Sequence, residues 1–230
     1  MFDGPILVVG AHADDEVLGA GGTMALARRA SCDVHVLILS TSCNSREPRR
    51  DVERTLRLNR RLDAAAVAAR LSASLSIEDF SDNAFDAVPS LQLVAAVERI
   101  AREVRPAVVM THWPGDLSLD HRATAHAVLA ACRPQGLDFA PTILSFEIRS
   151  STDWMPGPAA VAFQPTVFVP IDDEAWSTKL ALLELYRTEL RAAPHARSLE
   201  GIDAMARFRG TQIGCARAEA FALLRQVVRP

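Results

Sequence analysis

A histidine and three consecutive acidic residues follow the first apolar run of the chain. The run covers residues 6–9, and the polar stretch after it reads His12-Ala13-Asp14-Asp15-Glu16. Three neighbouring carboxylates beside a histidine cost free energy unless a counter-charge is near, and a divalent cation is the simplest counter-charge. His12 and Asp15 are three positions apart across a predicted strand-to-helix turn. Both side chains could therefore bind one ion.

A second polar stretch, residues 111–122, carries His112, Asp120 and His121 after a later apolar run. Both stretches follow predicted parallel strands, whose carboxyl ends meet at one edge of a sheet. One further histidine would complete a set of three N and O ligands, as in catalytic zinc sites that keep a fourth position for water. Zn²⁺ is the leading candidate for this ligand set, and Fe²⁺ or Co²⁺ could replace it.

Each stretch alone also has a simpler interpretation. His12 with Asp15 could be a helix cap beside a hydrogen-bonded histidine, and Asp120 is a suitable N-cap for the helix that follows it. The two stretches together favour the metal site, because the sheet would bring them to the same edge.

Apolar runs alternate with amphipathic segments along the chain. The runs predict strands at residues 5–10, 34–39, 75–80 and 107–112, and the segments predict helices at residues 14–30, 51–69, 91–104 and 120–132. Such alternation is typical of a Rossmann-like α/β fold, a three-layer αβα arrangement with helices on both faces of a mainly parallel sheet. Residues 1–135 carry this core.

Residues 136–230 are predicted to cap the core with further strands and helices. Residues 142–148 and 166–171 predict two edge strands, and residues 172–191 predict one long helix. The chain has 230 residues, of which 49% are hydrophobic, a size that suits one core rather than two. We therefore expect residues 1–230 to form a single domain.

Composition and charge narrow the class of protein. The 25 basic and 28 acidic residues are interspersed, which argues against nucleic acid as the main partner. No stretch reaches the ~20 apolar residues of a membrane span, and the start of the chain does not resemble an export signal. The cysteines at 32, 43, 132 and 215 are far apart and predict reduced thiols. The sequence thus predicts a cytoplasmic protein.

The two polar stretches resemble motifs of the PIG-L/LmbE-like zinc N-deacetylases. Residues 12–16 are similar to that family's Ala-His-Pro-Asp-Asp-Glu signature, and Asp120-His121 is similar to its downstream Asp-His motif. The likeness extends over nearly the whole chain, through Gly19, Gly21-Gly22, Asp82-Asn83, Gly115-Asp116-Leu117, Phe146-Glu147, Ser150-Ser151, Pro194-His195, Arg197-Ser198 and Ala218-Glu219-Ala220-Phe221. The resemblance implies hydrolysis of an N-acyl group, commonly N-acetyl, on an amino sugar or glycoconjugate related to N-acetylglucosamine.

The resemblance also implies residue roles. It makes His12, Asp15 and His121 the zinc ligands and Asp14 the general base, whereas spacing alone does not separate Asp14 from Asp15. Zinc lowers the pKa of bound water from about 16 to about 7, so a carboxylate that does not bind the metal can take the proton. Asp120 is expected to orient a histidine, because metal-binding histidines usually donate their other ring N–H to a carboxylate.

Two positions depart from the family pattern. Ala13 replaces the usual proline, which relaxes the loop without removing a chemical group. Ser118 stands where many members carry a histidine that polarises the carbonyl or protonates the amine. His112 or His195 could take over this catalytic role, and the resemblance around Pro194-His195 favours His195. Alternatively, His112 only ends a strand and His195 lies in a surface loop.

Other residues and functions remain open at this stage. Trp113 and Trp154 could stack on a sugar or simply pack, and Arg46, Arg49 and Arg50 could bind an anion or start a solvated helix. The run of residues 19–22 suggests a nucleotide site, but these glycines lie too far into the helix and fit close packing better. A non-catalytic metal- or sugar-binding module, an amidase for thiol conjugates, and a homo-oligomer that shares a late-chain histidine are further alternatives.

Overall fold

The computed structural model describes residues 3–42, 50–135, 137–157 and 162–228, without the side chains of residues 50–52. These residues form one sheet with the strand order β3-β2-β1-β4-β5-β7-β6. The strands are β1 (Ile6–His12), β2 (Val34–Ser40), β3 (Ser74–Ile77), β4 (Val108–His112), β5 (Thr142–Phe146), β6 (Val167–Pro170) and β7 (Ala218–Arg225). The helices are α1 (Asp15–Arg29), α2 (Arg50–Leu71), α3 (Ser90–Val104), α4 (Leu119–Ala131), α5 (Asp173–Leu185) and α6 (Leu199–Thr211).

Strand β1 lies inside the sheet and pairs in parallel with β2 and β4. Alternate side chains of a strand point to opposite faces. Ile6 and Val8 accordingly pack in the cluster that includes α1, α2, α5 and α6 residues, and Leu7 and Val9 pack in the cluster with α3 and α4 residues. The predicted three-layer α/β fold with a mainly parallel sheet is confirmed.

The register of the parallel strands brings two loops to one edge of the sheet. His12 pairs with Ser40 at the end of β1, and His112 pairs with Phe146 at the end of β4. Helices α1 and α4 begin just after these strand ends. The groups at the starts of both helices therefore lie near each other, as the sequence predicts.

The prediction that residues 142–148 form an edge strand is wrong. Strand β5 is internal, because β7 runs antiparallel beside it and separates it from the edge strand β6. Strand β7 was not predicted, because Glu219 interrupts its short apolar run. A strand that inserts from the end of the chain is fixed by tertiary pairing rather than by local periodicity.

The helices after residue 170 also differ from the prediction. Helix α5 ends at Leu185 rather than at residue 191, because the chain leaves the helix in turns at residues 186–189. The first of these residues, Tyr186, is buried and its hydroxyl donates to Glu16 Oε1 at 2.7 Å. Helix α6 was not predicted, and Ser198 caps its N-terminus. Among the described residues, no helix has the length and apolar character needed to cross a membrane.

Helix α1 is interrupted at Ala20, where φ is −143° and ψ is 16°, although the sequence predicts a continuous helix. A Cβ atom at Gly19 would lie 2.4 Å from Cδ2 of Phe146, so the helix crosses the end of β5 only because this position is glycine. The interpretation that the glycine run allows close packing is confirmed. Cys32, Cys132 and Cys215 are free thiols, and Cys43 lies outside the described residues.

Candidate functional site

Three potential metal ligands converge at the carboxyl edge of the sheet. Asp15 Oδ2 lies 3.4 Å from His12 Nδ1, and Asp15 Oδ1 lies 3.5 Å from His121 Nε2. One ligand atom of each residue lies within 4.8 Å of those of the other two. His12 ends β1, Asp15 begins α1 and His121 lies in the first turn of α4. The fold thus brings together the three residues that the resemblance implies as ligands.

The chemistry of this group fits a divalent cation. Asp15 is fully buried, and its Oδ1 atom makes no hydrogen bond to any described residue. Burial alone would raise the pKa of Asp15, but the neighbouring His121 and His112 hold it well below its usual range. A buried anionic oxygen that accepts no hydrogen bond is costly. Two imidazoles and one carboxylate are a ligand set that zinc and similar metals bind.

Carboxylates hold both imidazole rings from the side opposite Asp15. His12 Nε2 lies 2.9 Å from Asp120 Oδ2 and 3.2 Å from Asp82 Oδ1, and His121 Nδ1 lies 3.1 Å from Asp116 Oδ1. Metal-binding histidines commonly donate their second ring N–H in this way. The arrangement leaves His12 Nδ1 and His121 Nε2 directed towards Asp15.

His12, Asp82 and Asp120 form a second group of closely spaced ligand atoms. Asp120 Oδ2 accepts the Asn83 backbone N–H at 2.7 Å, and Asp120 Oδ1 accepts that of Phe85 at 3.1 Å. Because both of its oxygens already accept hydrogen bonds, Asp120 is better suited to orienting His12 than to binding a metal.

Asp116 connects the start of α4 with a loop after β5. Its carboxylate accepts hydrogen bonds from the Ser151 and Thr152 hydroxyls, and from the Ser118 backbone N–H at 2.9 Å. Although burial opposes it, these contacts and His121 lower the pKa of Asp116 to about 2. Asp116 therefore stays ionised and fixes the His121 ring.

The N-cap of α4 is Ser118, whose Oγ accepts the His121 backbone N–H at 3.3 Å. The alternative that Asp120 caps this helix is wrong, because Asp120 lies within the first turn and its side chain points to His12. The serine at the departure from the family pattern thus has a structural role.

Asp14 has a strained backbone and a buried carboxylate. Its φ of 117° lies in the left-handed region, and its N–H donates to Glu16 Oε2 at 3.2 Å. Such conformations cluster at functional sites. Arg197 Nη1 donates to Asp14 Oδ2 at 2.9 Å. Burial raises the pKa of Asp14 to about 6, even though Arg197 lowers it, which favours proton uptake near neutral pH.

A cavity of about 310 Å³ opens beside this group. Its lining includes His12, Asp14, His121, Glu189, Arg197 and the half-exposed Trp154. Glu189 Oε1 accepts a hydrogen bond from Arg60 Nη2 at 2.7 Å. Arg197 is the one arginine or lysine among the described residues that line the cavity. The cavity therefore combines two of the candidate metal ligands, the Asp14 carboxylate and the positive charge of Arg197, which is bonded to Asp14.

The two histidines suggested as replacements at Ser118 do not line this cavity. His112 is fully buried, its Nε2 accepts the Ala11 N–H at 2.9 Å, and its ring stacks on His121 with centroids 3.9 Å apart. Burial and His121 lower the pKa of His112 to about 4. His195 Nδ1 accepts the Arg197 backbone N–H at 2.9 Å, and its ring lies against Trp154. Each ring packs against a residue of the site instead of facing the cavity.

Of the two tryptophans suggested for sugar stacking, one lines the cavity and the other does not. Trp154 lines the cavity, whereas Trp113 packs edge-on against Phe163 with centroids 5.7 Å apart. Arg46 and Arg49 lie outside the described residues, as does the side chain of Arg50.

Four residues of the site, Asp82, Asp116, Glu189 and Arg197, had no role predicted from the sequence. Asp82, Asp116 and Arg197 stand in segments that resemble the family, which was the available signal. Glu189 falls within the predicted helix of residues 172–191, but it lies beyond the end of α5 and lines the cavity.

Comparisons with known proteins bear on the family and the fold. A family model described as PIG-L, GlcNAc-PI de-N-acetylase, matches residues 7–132. The uncharacterized deacetylase YaiS of Escherichia coli K12 is 26% identical over 192 residues, which are 80% of this chain and 90% of YaiS.

Two solved structures share the fold. The 4-carboxy-2-hydroxymuconate hydratase GalB of Pseudomonas putida KT2440 superposes with a TM-score of 0.77 at 24% identity, covering 99% of this chain and 98% of GalB. The N,N'-diacetylchitobiose deacetylase of Pyrococcus horikoshii has a TM-score of 0.77 at 17% identity, covering 96% of this chain and 83% of the deacetylase.

Proposed function

Because this chain belongs to the PIG-L family of GlcNAc-PI de-N-acetylases, we propose that it is a metal-dependent hydrolase that removes an N-acetyl group from an amino sugar or glycoconjugate. The observation that carries the proposal is the buried Asp15 carboxylate between His12 and His121, whose Oδ1 makes no hydrogen bond to a described residue, next to a cavity that Asp14 lines. The deacetylase YaiS and the chitobiose deacetylase support the same reaction class.

His12, Asp15 and His121 would hold the metal. We take zinc as the native ion because of the N and O ligand set, with Fe²⁺ or Co²⁺ as alternatives. When bound, such an ion lowers the pKa of a coordinated water from about 16 to about 7 and polarises the amide carbonyl. Asp120 and Asp116 keep the two imidazoles directed at Asp15.

Asp14 is the general base of this proposal. It lines the cavity, whereas Asp15 is enclosed by three histidines and does not. As water attacks the amide carbon, the Asp14 carboxylate takes a proton from it. The carbon–nitrogen bond then breaks, Asp14 passes that proton to the leaving nitrogen, and the products are acetate and the free amine.

Arg197 takes the charge-stabilising part of the role that many family members give to the histidine absent at Ser118. Its Nε donates to Ser150 Oγ at 2.8 Å and its Nη1 to Asp14, while Nη2 makes no hydrogen bond to a described residue. A guanidinium stays protonated, so it stabilises negative charge on the carbonyl oxygen but does not donate a proton. Proton return therefore falls to Asp14.

The substrate side of the proposal is a small molecule. The Trp154 indole lies at the cavity with half of its surface exposed, where it can stack on a sugar face. The net charge of −3 disfavours nucleic acid as a partner.

The proposal also includes a cytoplasmic location and a single domain. A cytoplasmic location fits the free thiols of Cys32, Cys132 and Cys215. Strands β5 to β7 join the sheet of residues 1–135, as expected of one domain.

Metal content and amine release test the function directly. Tag-free protein purified without chelators should contain about one zinc per chain by mass spectrometry, and a His12→Ala/His121→Ala variant should contain none. Protein loaded with Zn²⁺ should release acetate and a primary amine from N-acetylglucosamine or N,N'-diacetylchitobiose. Asp14→Asn serves as the control, because it should keep the metal without turnover.

The other outcomes are equally specific. Metal binding with no hydrolysis of any N-acyl sugar would indicate a binding module. Hydrolysis of thiol conjugates alone would indicate an amidase for thiol conjugates instead of a sugar deacetylase. Turnover of 4-carboxy-2-hydroxymuconate without deacetylation would indicate a hydratase like GalB. Absence of metal from the wild-type protein would overturn the proposal.

A further inference from the structure

The interruption of α1 at Ala20 leaves backbone groups that bond outside the helix. The N–H groups of Gly22 and Thr23 donate to Glu219 Oε1 and Oε2 at 2.8 and 2.7 Å. On the other side of the interruption, the Leu18 carbonyl accepts from Lys179 Nζ at 2.9 Å. Glu219 thus acts as an N-cap for the second part of α1, although it lies on β7.

Lys179 and Glu219 also contact each other. Lys179 Nζ lies 2.6 Å from Glu219 Oε1, and the Thr23 hydroxyl donates to Glu219 Oε2 at 2.6 Å. Their side chains are only 4% and 5% exposed. A Cβ at Gly22 would lie 3.2 Å from Glu219 Oε1 and 3.0 Å from Ile171 Cδ1, so glycine makes room for the carboxylate. The absence of side chains in the glycine run thus leaves space for both members of the pair.

Stability alone does not account for a buried ion pair of this kind. Removing two charges from water costs several kcal/mol per ion, and well-packed apolar replacements are often equally stable or more so. The pair instead determines the local backbone geometry, because Glu219 bonds to the backbone after the interruption and Lys179 to the backbone before it. It therefore fixes the angle between the two parts of α1.

The part of α1 before the interruption carries the candidate metal ligand Asp15. This segment, residues 15–19, also contains Glu16. At its far end Lys179 bonds to Leu18, and near its start the Tyr186 hydroxyl bonds to Glu16. Helix α5 and Tyr186, the residue that follows it, thus hold both ends of residues 15–19.

We infer that the Lys179–Glu219 pair is a positioning device for the metal site: by fixing the interruption in α1, it aims Asp15 at His12 and His121. This inference rests on the proposed function. Neither side chain lines the cavity beside Asp14, so both act through the backbone of α1 and are positioning residues.

The experiment compares variants of this pair with a matched control. Lys179→Met and Glu219→Gln each remove one partner, and Lys179→Met/Glu219→Met removes both charges without leaving one unpaired. Glu147→Gln is the control, because Glu147 forms a largely buried bidentate ion pair with Arg209 and makes no hydrogen bond to α1 among the described residues. The probe is Co²⁺, followed by its visible absorption and by competition with a chelator.

We expect each variant of the pair to bind Co²⁺ about 10-fold or more weakly than the wild type, with an altered spectrum, as for other outer-shell changes. Glu147→Gln should lower the Tm but leave the affinity and the spectrum unchanged. Amide hydrogen exchange of the apo-proteins should rise in residues 15–23 for the pair variants only. Exchange needs no metal, so it tests the inference even if the wild-type protein binds none.

Two results would overturn the inference. One is unchanged exchange in residues 15–23 of all three pair variants. The other is Co²⁺ binding like that of the wild type despite a Tm lowered as in Glu147→Gln, which would make the pair merely structural. A wild-type protein without metal but with the expected exchange pattern would instead remove the proposed function alone.

Discussion

The parallel core and the C-terminal part contribute different things to the candidate site. Residues 1–135 supply the groups proposed to bind metal and move protons: His12, Asp14, Asp15 and His121. Residues 137–228 supply groups that contact these residues or α1: Arg197 bonds to Asp14, Tyr186 to Glu16, and Glu219 to the backbone of Gly22 and Thr23. The proposed ligands and base therefore lie where a repeating pattern puts strand ends, whereas these three groups come from segments without such a pattern.

Asp14→Asn is the change with the largest expected effect, and it probes the core. We expect kcat to fall by about 10² to 10⁴, because the amide cannot take the proton. Metal content should stay near that of the wild type, since Asp14 is not among the ligands. Kinetics with metal analysis checks this, and near-normal kcat in Asp14→Asn would refute the assignment of the base.

Arg197→Met tests the contribution of the C-terminal part, residues 137–228, to the reaction. We expect kcat to fall by about 10², the usual cost of losing a donor to a developing oxyanion. Arg197→Lys should recover part of the rate, because it keeps the charge but not the geometry of the guanidinium. If Arg197→Met raised KM and left kcat intact, the arginine would serve substrate binding rather than the reaction.

Asp120→Asn tests the orienting contacts inside the core. We expect metal affinity to weaken by about 10- to 100-fold, since the amide holds His12 less firmly than the carboxylate does. Titration against a chelator measures the effect. Unchanged affinity would assign the orientation of His12 to Asp82, which lies 3.2 Å from the same Nε2 atom.

Trp154→Ala has the smallest expected effect. Loss of stacking on a sugar should raise KM about 3- to 10-fold with little change in kcat. Trp113→Ala is the matched control, because Trp113 packs on Phe163 away from the cavity. A similar KM change in both variants would show that the effect arises from packing and not from contact with the substrate.

The sequence is sufficient to predict the repeated strand–helix units and the groups that such units bring to the same edge of the sheet. Strands β1, β2 and β4 and their helices follow from apolar runs and helical periodicity, and the carboxyl edge of a parallel sheet brings His12 and His121 together. Strand β7 was missed because Glu219 interrupts its apolar run. In the fold this carboxylate is buried against two N–H groups of α1, the Thr23 hydroxyl and Lys179.

The surroundings of Asp14 were beyond local sequence patterns. Arg197 is 183 positions away from Asp14, and only the folded C-terminal segment brings it within 2.9 Å. Tyr186, the residue after α5, donates its hydroxyl hydrogen to Glu16 across 170 positions. Helical periodicity carries no information about such a contact.

The backbone at Asp14 restricts how this chain can diverge. A φ of 117° is open to glycine and is tolerated by aspartate and asparagine far better than by bulky or branched residues. A lineage that gave up catalysis but kept the fold would therefore most readily carry asparagine or glycine at position 14. Among homologous sequences, those two residues at this position would mark descendants that retain the ligand set without the base.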